Sequence, residues 1–315
     1  MYNLAMAGVH LASGVYILAN IKKVPDNFRE IQTYLSKVVI GDGANEYGYG
    51  FKEFAKANLP VMIAIFFIIT AVFHLIYAYG RKTFYREYIE NGVNPLRWLE
   101  YSITATIMTV IMALAATIQE VQQLMLIVVA TVCIMLLGWV IEKSIADKQR
   151  QVAWGATGIA WFLQFAVFGV IAYAFISTIQ EVNKKLAEEQ REERIPGFVY
   201  AILISQLFFF SLFGFVSLRM LVQSGKGPID FYRYEVGYHS LSIISKLTLG
   251  WLFYAGALME RGDENTQAPQ TPETQAPASA RGQACNSDSD CVGEFNTCCE
   301  ATDQSPGCQD LCISA

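Results

Sequence analysis

The chain has 315 residues, of which 53% are apolar and only 16% are charged, and its mean hydropathy is +0.32. An average soluble domain is about a quarter charged, so this chain lacks the polar residues to cover its apolar mass in water. The net charge of −5 argues against nucleic acid as a partner, because such proteins carry basic faces. A soluble enzyme, a disordered protein and a fibrous repeat all fit poorly, which leaves a multi-spanning membrane protein.

Seven stretches are long and apolar enough to cross a bilayer, since a spanning helix needs about 20 mostly apolar residues. Most are apolar all round, as in helices that face lipid on one side and other helices on the rest. The predicted fold is therefore an all-α bundle of seven transmembrane helices within residues 1–260. The predicted spans are 3–21, 60–79, 96–118, 124–143, 152–178, 198–222 and 236–259.

The first span could also be a secretory signal peptide. It lacks a basic leading region, is long for such a peptide and carries His10, so a retained helix is favoured. Two connections are long enough to have structure of their own. The loop 22–59 contains the run GDGANEYGYGF, which favours a small hairpin, and the charged run from Glu181 to Arg194 is typical of a solvated helical extension.

The composition changes after Glu260. Residues 261–284 are rich in Pro, Gln, Thr and Ala, which predicts a disordered linker. Residues 285–315 hold six of the seven cysteines in the pattern C-x5-C-x6-C-C-x8-C-x3-C. With no other core available, this favours a small disulfide-rich module over a zinc site, which would need a local histidine or a repeated CxxC. The six are Cys285, Cys291, Cys298, Cys299, Cys308 and Cys312.

The basic residues predict which way the bundle is inserted. They are densest in the loops 80–97, 143–151 and 219–235, and by the positive-inside rule these loops and the N-terminus face the cytoplasm. Lys22 and Lys23, directly after the first span, oppose this assignment. Disulfides persist only in an oxidising compartment, so the cysteines place the C-terminus outside the cell or in a lumen. The prediction is a multi-pass membrane protein with a cytoplasmic N-terminus.

Lys246 stands about ten residues inside the seventh span, in YHSLSIISKLTLGWLFYAG. A lysine at the membrane centre costs about 2.5–3.5 kcal/mol on insertion scales. The lysine side chain cannot easily reach water by extending along the helix, because the membrane surface is about 15 Å away for ten residues at 1.5 Å per residue. Glu100, in NPLRWLEYSITATIMTVIMA, is the one carboxylate well inside a span, and both helices start on the cytoplasmic side, so the two side chains can meet. The other carboxylates of the spans sit at their ends: Glu120, Glu142, Glu235 and Glu260.

A buried lysine beside a lone carboxylate suits a Schiff base to an aldehyde, although a structural ion pair is the alternative. Desolvation favours the neutral, nucleophilic amine, and once the imine is protonated Glu100 balances its charge. If the aldehyde is a conjugated polyene, this carboxylate also sets the colour. Such a pocket must be long, apolar and aromatic, and the sixth and fifth spans supply such residues, although aromatic stripes are often simple packing. They are Phe208, Phe209, Phe210, Phe213 and Phe215 on the sixth, and Trp161 and Phe162 on the fifth.

Polar residues are predicted to surround the pair. Ser242 lies one helical turn before Lys246 on the same face, and His239 lies two turns before it. His10 in the first span and His74 in the second fall at a similar depth. Each histidine alone could be an ordinary packing residue, but three at one level favour a polar or proton-accepting cavity.

The motifs RWLEYS around Glu100 and HSLSIISKLTLGW around Lys246 resemble those of one family of microbial-type retinal proteins, the heliorhodopsins. The resemblance covers about residues 1–260, and a cytoplasmic N-terminus is this family's distinguishing feature. It implies all-trans retinal on Lys246 as a protonated Schiff base, with Glu100 as the counterion. It also implies a homodimer, held in part by the outer loop 22–59.

The same resemblance assigns roles to the polar residues. Ser242 would hydrogen-bond near the Schiff base, and His10 and His74 would fill a cytoplasmic polar cavity that holds the proton released after illumination. Thr70 stands where a small hydroxyl residue is usual, and Arg97 matches the basic residue one turn before the counterion.

The cysteine spacing, with its central Cys-Cys pair, resembles the inhibitor-cystine-knot (knottin) family. That resemblance covers only the last 31 residues and implies pairing of the first cysteine with the fourth, the second with the fifth and the third with the sixth. Such a tail departs from the short C-terminus usual among heliorhodopsins.

Three functions are compatible with the sequence. A light sensor with a slow photocycle and an unknown signalling partner is favoured over a pump, because no second carboxylate lies deep in the outer half to reload the Schiff base. A light-gated proton conductor is the first alternative, with Gln206, Gln164 and Thr109 as weak outward candidates. The second is a receptor that acts through its tail. The sequence has no metal motif, catalytic triad or phosphate loop, so an enzyme is not predicted.

Overall fold

A computed structural model of the chain describes residues 2–40, 47–80, 83–189, 196–227 and 229–267. The chain divides into two compact units, Met1–Asp263 and Glu264–Ala315. Most of the predicted linker and all six clustered cysteines lie outside the described residues.

Helices dominate the described part of the chain, and seven of them are long and apolar enough to cross a membrane: α1, α3 and α5 to α9. This confirms the predicted seven-helix fold, and most span boundaries lie within a few residues of those expected. The largest differences are at the ends of α7 and α9, which continue to Glu189 and Gln267 instead of ending at 178 and 259. The charged run after the fifth span continues α7 as far as Glu189, and its remaining residues lie outside the described part. The helices are α1 (Tyr2–Ala19), α2 (Asp26–Arg29), α3 (Leu59–Tyr79), α4 (Phe84–Asn91), α5 (Pro95–Ala115), α6 (Val121–Ala146), α7 (Arg150–Glu189), α8 (Gly197–Ser224) and α9 (Phe231–Gln267).

Two of the spanning helices begin at an asparagine cap. The Asn58 side chain accepts a hydrogen bond from the Val61 backbone N–H at 3.1 Å, and Asn94 does the same for Arg97 at 3.2 Å. A proline follows in the first turn of each helix, where its missing N–H removes no helical bond. These caps fix the starting points of α3 and α5, and the start of α5 determines the depth of Glu100.

The predicted hairpin between the first two spans is present. Strands β1 (Glu30–Ile40) and β2 (Tyr47–Asn58) pair in antiparallel register from Glu30↔Asn58 to Ile40↔Tyr47, with one irregularity after Thr33. The Tyr34 backbone N–H donates to the Gln119 carbonyl at 2.9 Å, and the Ser36 hydroxyl donates to the Glu120 carboxylate. The hairpin is thereby attached to the connection between α5 and α6.

Because successive spans alternate in direction, α1, α5, α7 and α9 all begin at the same end of the bundle. We call this end the N-terminal side and the opposite end the hairpin side. Ile17, Phe66, Ile111 and Leu249 are buried in the core between the helices. Large apolar residues such as Phe162, which is 71% exposed, cover the outside, as expected for a surface that faces lipid.

Candidate functional site

The centre of the bundle holds an ion pair between α9 and α5. Lys246 Nζ donates to Glu100 Oε1 at 2.7 Å and to the Ser242 hydroxyl at 2.9 Å, and Lys246 and Glu100 are 2% and 0% exposed. Ser242 lies one turn before Lys246 on α9, so the helix itself places its hydroxyl beside the amine. The second carboxylate oxygen of Glu100, Oε2, has no protein partner. The structure thus brings together the three residues that the sequence singled out.

A cavity opens at the Lys246 amine, between α5, α6, α7, α8 and α9. Along α5 its wall extends from Trp98 to Met108, a length of about 15 Å at 1.5 Å per residue. The wall is mostly apolar, and none of its residues is acidic. It is formed by Trp98, Tyr101, Thr104, Ala105, Met108, Ile134, Met135, Gly138, Ile141, Thr157, Ala160, Trp161, Gln164, Phe210, Phe213, Gly214, Ser217, Ser242, Ser245 and Lys246.

Two tryptophan rings shape this cavity, each packed against a glycine. A Cβ at Gly138 would lie 2.1 Å from the Trp98 ring, and one at Gly214 would lie 2.7 Å from the Trp161 ring. Larger residues at either glycine would push the indole aside, because real Cβ atoms do not approach so closely. The predicted pocket residue Trp161 is therefore part of the wall, and Trp98 is a second tryptophan that the sequence reasoning missed.

The sequence predicted that Phe208 and Phe209 line the pocket, and the structure places them outside the cavity wall. Phe208 is 58% exposed on the outside of the bundle, and neither residue belongs to the cavity wall. The wall instead takes residues from α8 with the spacing of a single helical face. They are Phe210, Phe213, Gly214 and Ser217.

The three histidines come together on the N-terminal side of the ion pair. The ring centres of His10 and His74 are 5.7 Å apart, and those of His74 and His239 are 5.1 Å apart. All three are at most 1% exposed, as is Thr70, whose hydroxyl has no protein partner. His74 Nδ1 lies 3.2 Å from the Asn3 side-chain oxygen, whereas His10 Nε2 and His74 Nε2 are unpartnered. We call His10, His74 and His239 the histidine cluster.

Arg97, which the sequence matched to the basic residue one turn before the counterion, belongs to a second, fully buried group of charges next to the histidine cluster. Its guanidinium donates one hydrogen bond to Glu142 and another to Glu235, and all three side chains are 0% exposed. His239 Nε2 lies 3.1 Å from Glu235 Oε1, so the two groups are in contact. The interpretation of Glu142 and Glu235 as ordinary helix-end residues is therefore incomplete.

The bonds of this second group, which we call the ion cluster, connect three spanning helices. Glu142 of α6 also accepts from the Trp98 indole N–H at 2.8 Å and from the Asn94 backbone N–H at 3.0 Å. The Asn94 amide donates to Glu235 of α9. The sequence does contain a weak signal for this arrangement. Glu142, Arg97 and Glu235 all fall in the terminal turns of their spans on the same side.

Seven spanning helices around a buried lysine–carboxylate pair, with an apolar cavity at the amine, define the rhodopsin class of membrane proteins. The chain matches the heliorhodopsin family over residues 1–258, and it belongs to that family. It is therefore a retinal-binding, multi-pass membrane protein of photoreceptor type. A search of curated proteins finds no match.

Two solved structures also align with the bundle. A thermophilic rhodopsin is 12% identical with a TM-score of 0.49, over 83% of this chain and 94% of that one. A light-driven proton pump from Leptosphaeria maculans is 13% identical with a TM-score of 0.46, over 84% of this chain and 94% of that one.

The residues of the cavity suit retinal. One amine, that of Lys246, stands on a wall that is mostly apolar and rich in aromatic residues. The carboxylate beside it keeps one oxygen without a protein partner, so Glu100 can accept a further hydrogen bond. Trp98, Trp161, Phe210 and Phe213 would enclose the polyene.

Proposed function

We propose that this protein is a light sensor that signals rather than pumps, with all-trans retinal on Lys246. The observation that carries the proposal is the 2.7 Å ion pair between Glu100 and Lys246, whose amine stands in the wall of a mostly apolar cavity. A pump needs a further proton donor on the far side of the amine, and the described wall offers only neutral groups there, such as Gln164. When bound, retinal supplies light absorption and isomerisation on a protonated Schiff base.

The chain's own residues have separate tasks in this proposal. Glu100 balances the positive charge at the Lys246 nitrogen, and Ser242 fixes the position of that nitrogen by its hydrogen bond. The histidine cluster lies between this nitrogen and the ion cluster, and its unpartnered ring nitrogens can accept a proton. The apolar wall excludes water, which strengthens every electrostatic interaction inside.

Exchange of Glu100 for glutamine tests its role as counterion. The variant Glu100→Gln removes the negative charge nearest the nitrogen, so positive charge spreads further along the polyene and we expect the visible band to shift to the red. The measurement is an absorption spectrum of the purified protein. Glu120→Gln is the matched control, because Glu120 binds Ser36 on the hairpin side and should leave the band in place. An unchanged spectrum in Glu100→Gln would remove this residue from the role.

A light-gated proton conductor is the second candidate function. It is favoured by one observation, the contact of the histidine cluster with Glu235 near the N-terminal side. On the hairpin side of the cavity the outward candidates are Gln206, which bonds to Ser245, Thr109, which bonds to its own helix, and Gln164, whose Nε2 has no protein partner. Because these three groups are neutral, we expect no photocurrent in voltage-clamped membranes. A light-dependent current that follows the proton gradient would instead establish the conductor.

The receptor hypothesis is tested by removal of the tail. A chain that ends after Gln267 keeps the whole described bundle and the cavity, so we expect its absorption band and photocycle to match those of the full chain. The spectrum and flash-induced kinetics measure this. Loss of signalling with an intact photocycle would identify the tail as the output module. Loss of the photocycle would contradict our assignment of sensing to the bundle.

We further propose that the N-terminal side faces the cytoplasm and that the six clustered cysteines form disulfides outside the cytoplasm. We also propose that the protein is a photoreceptor and not an enzyme. The loop charges and cysteine content support the orientation. We also propose a homodimer held in part by the hairpin, since Phe51 and Phe54 of β2 are 68% and 60% exposed.

A further inference from the structure

The Trp98 indole takes part in both the cavity wall and the ion cluster. Its Nε1–H donates to Glu142 at 2.8 Å, while its benzene edge lies where a Cβ of Gly138 would be. Gly138 and Glu142 are one turn apart on the same face of α6. The indole is therefore fixed at both ends by α6. Its N–H donates to the Glu142 carboxylate, and its benzene ring fills the space that is open because residue 138 is a glycine.

Aromatic contacts hold the same ring from the sides. Tyr101 and Tyr238 meet Trp98 edge to face, with ring centres 6.1 and 5.8 Å away, and the Arg97 guanidinium lies 5.0 Å from its centre. Trp98 is 7% exposed. Since buried packing resists displacement, the ring has little freedom to move independently of Glu142.

The oxygens of Glu142 are shared among several donors. Oε2 accepts from Trp98 and from the Asn94 backbone N–H, and Oε1 accepts from Arg97. Arg97 in turn binds Glu235. Because the bonds of such a network are mutually dependent, a displacement of the indole changes the bonds at the beginnings of α5 and α9.

We infer that Glu142 is a positioning residue that fixes Trp98 in the cavity wall and passes a change in the cavity to the N-terminal ends of α5 and α9. The inference rests on the proposed function, since it requires light to change the shape of the cavity's contents. It assigns the output of the sensor to the N-terminal side, where these helix ends meet.

The static half of this inference is tested without retinal. Ultraviolet resonance Raman spectra report the hydrogen bonding of indole N–H groups, and the Trp98 contribution is the difference between the wild-type chain and Trp98→Phe. We expect a strongly bonded indole that weakens in Glu142→Asp, because the shorter side chain keeps the charge that Arg97 needs but withdraws the oxygen. The positioning role would be overturned if the spectrum showed a Trp98 N–H without a hydrogen bond in the wild type, or a hydrogen bond of unchanged strength in Glu142→Asp.

The dynamic half uses light-minus-dark infrared spectra of the full chain with retinal in membranes. We expect a light-induced carboxylate band in the wild-type protein. A shift of this band in Glu142→Asp would assign it to Glu142. It should vanish in Trp98→Phe, which keeps an aromatic ring but removes the donor. Trp154→Phe is the matched control, since Trp154 is 45% exposed on the outside of the bundle and is not part of the cavity wall, so this variant should leave the band intact.

The outcomes separate this inference from the proposed function. Persistence of the Glu142 band in Trp98→Phe, its equal loss in Trp154→Phe, or its absence from a wild-type protein with a normal visible band would each overturn the inference alone. A wild-type protein without any visible band would overturn the proposed function, and this inference with it.

Discussion

Replacement of Lys246 by alanine is expected to abolish the visible absorption band completely. Lys246 is the amine on the cavity wall, and without it no covalent bond to an aldehyde can form there. The measurement is an absorption spectrum of membranes incubated with all-trans retinal, followed by hydroxylamine in the light to bleach any band that remains. A band of undiminished height in Lys246→Ala would contradict the assignment.

The controls for this variant address folding. Loss of Lys246 leaves Glu100 as a buried charge without its partner, which costs about 3–5 kcal/mol and could unfold the chain by itself. The double variant Lys246→Met/Glu100→Gln removes both charges, so it should fold and still lack the band. Lys185→Ala, on the exposed extension of α7, should keep the band at full height.

Replacement of Arg97 by leucine is expected to give the largest loss of stability among single substitutions in the bundle. The change leaves Glu142 and Glu235 buried at 0% exposure without their shared cation. Removal of one partner from a buried pair costs about 3–5 kcal/mol, and here two pairs are lost together. The measurement is the midpoint of thermal or detergent-induced unfolding, followed by the loss of the visible band or of helical circular dichroism.

Two further variants separate charge from packing at this site. The triple variant Arg97→Leu/Glu142→Gln/Glu235→Gln removes the uncompensated charges, so it should recover much of the lost stability. Lys143→Ala breaks only the exposed pair with Asp147, and we expect it to leave the unfolding midpoint unchanged, because exposed pairs contribute little. If Arg97→Leu unfolded at the wild-type midpoint, the ion cluster would have no stabilising role.

The fold and the central pair could be predicted from sequence because lipid imposes simple rules. Spans must be long and apolar, and a charge inside one needs a partner, which made Lys246 and Glu100 conspicuous. Glu142 and Glu235 were not recognised because charged residues in a terminal turn are normally solvated. Only the packing of α5, α6 and α9 shows that these turns are covered.

The aromatic run on α8 shows a different limit. Three successive phenylalanines at 208–210 point in directions about 100° apart, and hydropathy alone does not say which faces the cavity. The spacing of Phe210, Phe213, Gly214 and Ser217 marks the inward face only once the rotation of the helix is known. The same holds for Trp98, whose place depends on the glycine that it packs against in another helix, Gly138.

The position of the buried charges along the chain has a consequence for biosynthesis. Arg97 and Glu100 both enter the membrane with α5, and each has a partner on α9, Glu235 and Lys246 respectively. The ribosome completes α9 more than a hundred residues later, so until then Glu100 has no cation and Arg97 has only Glu142. Insertion of the last helix neutralises both sites in one step. A nascent chain that stalls before this step carries unbalanced charge in its third span and is the form that quality control would recognise.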